Sequence, residues 1–386
     1  MVWIQKCTSY DRPVILEKVR EIFNKNGGIG RFAAPGKTIV IKPNLVGKKK
    51  PEEAATTHPS LVWAAAVLCR EAGAKVVIAE SPGGLYEKRF LKGIYRVTGM
   101  EQAALDSGAE LNYDLGEARV ENPGAMYLKS LDILSPLAQA DTVINISKLK
   151  THGMMVYTGA VKNLFGAVAG LKKAEYHMKM SDYDEFANAI IDIYLSVPVS
   201  LNIIDAVVGM ERDGPTAGDP REMGLLISGR DGFLTDLTAL KIIGVDPVRV
   251  PIFRNAISRG LCPADTSGID YMGGLRPEQA MVKGFRVNYN EQFANLHFLK
   301  GLGGRWFSAM LRPRPVFHTK KCRSCGECER CCPAKVITVT KERGASVKLE
   351  GCIRCYCCQE LCPFQAVTIR KPLLNRLLIK GGNRQQ

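Results

Sequence analysis

No run of about 18 apolar residues occurs anywhere in this chain, so no membrane-spanning helix is expected. The opening residues, Met1-Val2-Trp3-Ile4-Gln5-Lys6-Cys7, lack a basic segment followed by an apolar one, so no secretory leader is read there. A cytoplasmic, reducing location is the expectation, and in such a setting thiols hold metal more often than they pair. No Gly-x-Gly-x-x-Gly follows a strand pattern, which argues against a nicotinamide dinucleotide. Aromatic residues are scarce, at 7%, and no nucleic-acid recognition motif accompanies the positive charge, so nucleic acid is not expected as a partner.

What the chain has in excess is cysteine and positive charge. It carries 13 cysteines and a formal net charge of +15 over 386 residues. Residues 316–386 hold 14 Lys and Arg against five Asp and Glu, so this end alone supplies +9. Such a surface suits an acidic protein partner, a small anionic molecule or an anionic lipid surface. A hydrophobic fraction of 46% supports a sizeable core, and the length favours two or three domains.

Eight of the cysteines fall in two runs, Cys322-x2-Cys325-x2-Cys328-x3-Cys332-Pro333 and Cys352-x2-Cys355-x2-Cys358-x3-Cys362-Pro363. An offset of 30 residues superposes them and carries Ile337-Thr338-Val339 onto Val367-Thr368-Ile369. Each half reads as a cysteine loop, a turn and a short β-branched strand. Zinc knuckles lack the extra close cysteine and the proline, and a disulfide framework belongs to an oxidising setting. The paired runs resemble the two-cluster bacterial ferredoxins. That resemblance implies two [4Fe–4S] clusters, each taking three thiolates from one run and the fourth from the other. Cys322, Cys325, Cys328 and Cys362 would hold the first cluster, and Cys352, Cys355, Cys358 and Cys332 the second. Cys331 and Cys357 are left over inside the loops. An electron donor or acceptor protein, acidic to match the basic surface, is the implied partner.

Upstream, residues 1–290 read as one α/β unit. Strand patterns cover residues 2–7, 37–42, 75–80, 141–147 and 200–205, and helical spacing covers 12–26, after Asp11 as a possible cap, and 60–72. Their alternation predicts a mostly parallel sheet with helices on both faces. Ligands of such sheets gather beyond the strand carboxyl ends. There the chain places Lys42-Pro43-Asn44, Glu80-Ser81-Pro82-Gly83-Gly84, Lys148-Leu149-Lys150-Thr151-His152 and Gly209-Met210-Glu211-Arg212-Asp213-Gly214-Pro215. Lysines beside glycine-exposed backbone amides suit an anion. Lys148, Lys150 and His152, at alternate positions, would face one side of a strand end. Asp205, Glu211 and Asp213 are candidates for a hard cation or for acid–base work. Singly, each of these matches ordinary turn chemistry or a solvated side chain; their convergence is the argument.

From about Asn290 the pattern changes. Residues 293–299 and 306–311 read as two short amphipathic helices, and Arg312-Pro313-Arg314-Pro315 as a stiff basic linker. The domain plan is an α/β domain at 1–290, a linker at 291–315, a small α+β ferredoxin-like domain at 316–372 and a basic tail at 373–386.

Lys42-Pro43-Asn44, the Lys148-to-His152 block, Gly159-Ala160-Val161-Lys162-Asn163-Leu164-Phe165-Gly166 and Gly209-Met210-Glu211-x2-Gly214-Pro215 together resemble the domain of unknown function 362. The resemblance spans about residues 37–250 and implies architecture, since no reaction is assigned to that family. It adds Asp236, an acid the family tends to keep on a helix. Arg212 stands where the family usually has glycine, which puts a cation near the expected pocket. A more distant resemblance is to lactate racemase relatives, whose Lys-x-Lys-Pro-His-like block follows a strand; Thr151 replaces that proline here.

The expected function is electron-transfer-linked oxidation or reduction of a small anionic substrate. His152, Lys150 and Lys162 are its catalytic candidates, with His152 the leading proton donor. Lys42, Asn44, Lys148, Asn163, Asp205, Glu211 and Asp236 are its binding candidates. Two alternatives stand beside it: an electron carrier or adaptor for a separate enzyme, and a non-redox lyase or isomerase with structural clusters. A further flavin or metal is left open by these residues.

Overall fold

A computed structural model describes residues 1–289 and 313–370. Its main sheet grows from short β-branched runs that alternate between two apolar cores. The strands are β1 (Val2–Lys6), β2 (Thr38–Pro43), β3 (Lys75–Ile78), β4 (Glu110–Leu111), β7 (Thr142–His152), β8 (Val156–Thr158), β9 (Val199–Glu211) and β10 (Asp219–Gly229). Between them β5 (Glu117–Glu121) and β6 (Ser130–Leu134) form a separate antiparallel ribbon. The spatial order is β1-β10-β9-β7-β2-β3-β4, with β8 added to the end of β7. The run from β9 to β4 is parallel, and β10 and β1 pair antiparallel at one edge.

On β2, Ile39 and Ile41 join one core while Val40 joins the other. On β7, Ile144 and Ile146 face the first core, Val143 and Leu149 the second. Helices Arg12–Lys25, Pro59–Glu71, Lys88–Val97 and Met100–Ser107 supply the first core. Helices Tyr183–Leu195, Gly232–Ile242 and Pro251–Ser258 supply the second. This is the expected mostly parallel sheet covered on both faces. Two expected strands were too short: β7 and β9 run on to His152 and Glu211, through charged residues that the strand pattern does not anticipate. Asp11 precedes the first helix but makes no side-chain capping bond.

The C-terminal region is built twice. Strand β12 (Ile337–Thr340) pairs with β13 (Gly344–Val347), and β14 (Val367–Arg370) pairs with β11 (Arg314–Phe317). Left-handed backbone recurs at the 30-residue offset, at Ser324 and Arg354, Gly326 and Tyr356, and Lys335 and Gln365. The sequence repeat is thus a repeat of loop conformation. One boundary shifts: Arg314 and Pro315, read above as linker, are strand residues paired with Arg370 and Ile369. The helices expected at 293–299 and 306–311 and the tail at 373–386 lie outside the described residues. Among the described residues no helix is long and apolar enough to cross a membrane.

The two parts are in contact at the sheet's carboxyl edge. Gln359 Nε2 donates to the Asp213 carbonyl (3.0 Å), and Thr216 Oγ1 donates to the Glu360 carbonyl (2.9 Å). Gly83 permits this approach, since a Cβ there would lie 2.7 Å from Leu361 Cδ2.

At the same edge Lys42 Nζ donates to Glu80 Oε2 at 2.7 Å, with both side chains buried. Breaking such a pair strands a buried charge, whereas replacing both partners does not. Lys42→Met is therefore expected to destabilise the protein by about 3–5 kcal/mol. The double variant Lys42→Met/Glu80→Leu should recover most of that loss. Anaerobic urea unfolding of both measures it; equal losses would rule the pair out as the cause.

Candidate functional site

The carboxyl ends of β2, β3 and β7 open onto one cleft of about 920 Å³. Strand β2 delivers Asn44, β3 delivers Glu80 through the turn that follows it, and β7 delivers Lys150 and His152. The segment after β8 adds Lys162, Asn163, Lys173 and His177. The opposite wall comes from the C-terminal domain, as Cys331, Cys357, Glu360 and Leu361. Gly166 makes the strand ends meet closely: a Cβ there would lie 2.0 Å from Glu80 Oε1. A second cleft, which shares Gly83, Thr216, Glu360 and Leu361 with the first, brings Lys48 and Lys49 to its approach.

The expected site residues divide. Asn44, Lys150, His152, Lys162 and Asn163 line the cleft together. Lys148 does not join them. The β7–β9 pairing is irregular between Lys148 and Lys150, and Lys148 Nζ donates instead to Asp205 Oδ2 (3.0 Å) and the Tyr10 hydroxyl (2.9 Å). Asp205 also accepts from Tyr10 Oη (2.7 Å) and the His58 amide (3.0 Å), so it locks strand ends together outside the cleft. Lys42 serves Glu80 from behind. Glu211 accepts from the Arg286 amide (3.0 Å) and Nε (2.6 Å), and Asp213 accepts from Asn288 Nδ2 (2.6 Å). Asp236 accepts from the Ala160 and Val161 amides (2.7 and 2.9 Å) and the Tyr157 hydroxyl (3.0 Å). That buried acid anchors the segment bearing Lys162 and lies behind the lining. Arg212 pairs with Asp219 at 3.2 Å, away from the cleft, and its φ of 66° falls in the left-handed region that favours glycine.

Glu80, Lys173, His177, Glu360 and the two spare cysteines complete the lining without having been singled out as ligands. Glu360 has one sequence signal. Its counterpart across the 30-residue offset is Arg330, so the two halves differ in charge at a position the cysteine pattern leaves free. His177 and Lys173 carry no comparable mark, being ordinary residues of a helical stretch.

Burial dominates the electrostatics. It holds the Lys150 ammonium well below its ordinary pKa, and neighbouring Lys162 adds to the effect. Lys162 is lowered by burial, against the opposing pull of Glu360. Lys173 is brought to about 7 by burial, against Glu80. His177 falls to about 3, again through burial. Glu360 is pushed up by burial, with Lys162 and Lys150 opposing. His152 lies far below its ordinary value, first through burial and then through Lys162. Its Nδ1 accepts from the Met154 and Met155 amides (3.1 and 3.2 Å), which assigns the ring proton to Nε2. That atom stands 3.1 Å from Glu360 Oε1.

Behind the Glu360 wall the thiols ring two hollows. Cys322, Cys325, Cys328 and Cys362 line one of about 330 Å³; Cys332, Cys352, Cys355 and Cys358 line another of about 350 Å³. Each takes three sulfurs from one loop and one from the other. Among the described residues no three His, Cys, Asp or Glu side chains are arranged to hold a single metal ion. Cys357 lines both the second hollow and the cleft.

Fold and site together define a class: an α/β protein with a cationic cleft at its strand ends, walled by a twice-repeated cysteine domain. The chain belongs to the family described as domain of unknown function (DUF362), whose model matches residues 39–241. A thylakoid-associated protein of Synechocystis is 32% identical over 269 residues, covering 68% of this chain and 80% of that protein. Among solved structures, lactate racemase apoprotein from Thermoanaerobacterium thermosaccharolyticum has a TM-score of 0.38 and 14% identity, covering 59% of this chain. A Thermotoga maritima protein has 0.34 and 12%, also covering 59%. This chain spans 54% and 57% of those two chains.

An anion placed against Lys150 and Lys162 favours their charged forms, so its binding should take up protons. Below the lowered lysine pKa values affinity should be flat. Above them it should fall with rising pH, by up to about tenfold per pH unit for each linked proton. Calorimetry in buffers of different ionisation heat reads that uptake directly. An affinity that rises with pH would exclude these lysines as anion contacts.

Proposed function

We propose that this protein is an iron–sulfur oxidoreductase that holds two [4Fe–4S] clusters and acts on a small anion in the strand-end cleft. The support for the clusters is the match of thiols to hollows: the four thiols of the first hollow, and four of the five that line the second, are the sets that ferredoxin-like spacing implies. When bound, the clusters supply electrons one at a time. The observation that carries the redox reading is Cys357, which bridges the second hollow and the cleft in a single residue.

The cleft residues then have distinct tasks. Lys150 Nζ gives one hydrogen to the Ala55 carbonyl (2.7 Å) and keeps the others for an anion. Lys162 Nζ has no hydrogen-bond partner among the described residues, though Glu360 and Cys357 lie within its field. His152 works as a neutral Nε2–H donor, because gaining a second proton would break its two backbone bonds. This moves the role of proton donor from His152 to Glu360, the carboxyl beside it. The apolar remainder of the lining, including Leu45, Val46, Phe165 and Leu361, keeps water out and strengthens each charge. A carrier or adaptor would need its strand ends free for docking, and here Gln359 and Glu360 cover them.

Anaerobically purified full-length protein should contain about eight iron and about eight sulfide per chain. Cys355→Ser should remove about half of each. In a stopped-flow screen against small carboxylates, dithionite-reduced wild type should be reoxidised by its substrate. Lys162→Ala should slow that step by about 100-fold with cluster content unchanged. Stoichiometric zinc in place of iron would overturn the cluster assignment. Reoxidation that ignores Lys162 would overturn the cleft as its site.

A further inference from the structure

Four asparagines form a relay beneath the cleft. Asn202 Nδ2 donates to the Arg230 carbonyl (3.2 Å), so its Oδ1 is free to accept. Asn145 Nδ2 donates to that Oδ1 (2.8 Å) and to the Ala160 carbonyl (2.9 Å). Asn163 Nδ2 donates in turn to Asn145 Oδ1 (2.8 Å) and faces the Pro43 carbonyl (3.3 Å). Asn44 Nδ2 completes the chain by donating to Asn163 Oδ1 (2.8 Å).

Carbonyl oxygens only accept, so the three backbone carbonyls dictate which way each amide is turned. The order passes without ambiguity to Asn44, whose Nδ2 is committed to the relay. Its Oδ1 is left as a buried acceptor with no hydrogen-bond partner, on a residue that lines the cleft. Glu80 Oε1 and Glu360 Oε1, on the same lining, are further buried acceptors without a hydrogen-bond partner, while Oε2 of Glu80 is held by Lys42. Buried polar groups in native proteins are paired, so unpaired acceptors on residues that line one cleft mark the missing contacts of its occupant.

Resting on the anion reading above, we infer that the cleft takes a small carboxylate that also carries a hydroxyl or ammonium donor. Lys150 and Lys162 meet the anion, and Asn44 Oδ1 meets the donor. A plain alkyl or aryl carboxylate satisfies the lysines and leaves the acceptors unpaired. Sites built to bond a substrate hydroxyl or amine discriminate strongly against the analogue that lacks it.

The test is calorimetric titration of the anaerobic, cluster-loaded full chain with two matched series. These are acetate, glycolate and glycine, and 3-phenylpropanoate, 3-phenyllactate and phenylalanine. In the series that binds, a donor-bearing member should bind at least about tenfold more tightly than its donor-free parent. Whether that member is the hydroxy or the amino acid identifies the donor. Asn44→Ala should erase the preference, and Lys162→Ala should weaken every member. Equal affinities within a series on wild type overturn this inference. They leave the anion reading standing if Lys162→Ala still weakens binding. No binding by either series overturns both. The wild-type comparison decides the matter even if Asn44→Ala fails to fold.

Discussion

Burying a charge is the costliest thing a fold can do, and this fold does it repeatedly along one edge of a sheet. Lys42, Lys148 and Lys150 are sealed from water where two neighbouring parallel strands, β2 and β7, end. Each has a different settlement. Lys42 has the Glu80 carboxylate, Lys148 has Asp205, and Lys150 has one backbone carbonyl. The first two pairs tie strand ends together and are structural. The third is incompletely compensated, and so is its neighbour Lys162. The cleft lies where the compensation stops, beside the paired charges.

The C-terminal domain enters the same account. Without it Lys150, His152 and Lys162 would face water at the strand ends, as in any open α/β sheet. The loop carrying Gln359, Glu360 and Leu361 removes that water and contributes a single carboxyl in return. The two halves of the cysteine repeat are nearly alike in backbone, including their left-handed positions, yet the side chains between the cysteines differ. Glu329 and Arg330 stand in one half, and Gln359 and Glu360 in the half that bonds to the α/β domain and meets His152. The two halves therefore differ outside their thiols, where the intervening residues are set by what they lie against.

Much of this was legible in order along the chain, and the reason is locality. Strand runs such as Thr38–Pro43 and the paired cysteine loops are signals contained within a few residues, and both appear where they were expected. The failures are equally physical. Lys148, Lys150 and His152 share a spacing that promises a common face. One irregular step in the pairing with β9 separates Lys148 from the others, and no residue pattern announces such a step. Glu80 ends a strand as expected, but its part depends on Lys42 and Gly166, far off in sequence. Arg212 read as a pocket cation because of its position in a motif. Its side chain turns to Asp219, and the motif's glycine preference is explained by backbone angle alone.

Fusion of the two parts has a further consequence for chemistry. A free ferredoxin meets its partner through a surface, and electrons cross an interface that forms and dissolves. Here the cysteine domain is itself a wall of the cleft, so whatever lies in the cleft meets Cys357. Cys357 is followed directly by Cys358, and its own side chain reaches the cleft. On the proposed reading, donor and acceptor are held at a fixed short separation, and the only diffusional encounter left is at the far, first set of thiols. Three of that set, Cys322, Cys325 and Cys328, lie on the other loop of the repeat beside the exposed Arg323, where on the same reading an acidic electron donor would approach. On that reading the contacts of Gln359 and Glu360 with the α/β domain set which loop presents most of its residues to the substrate, with Cys331 of the other loop joining them at the cleft wall.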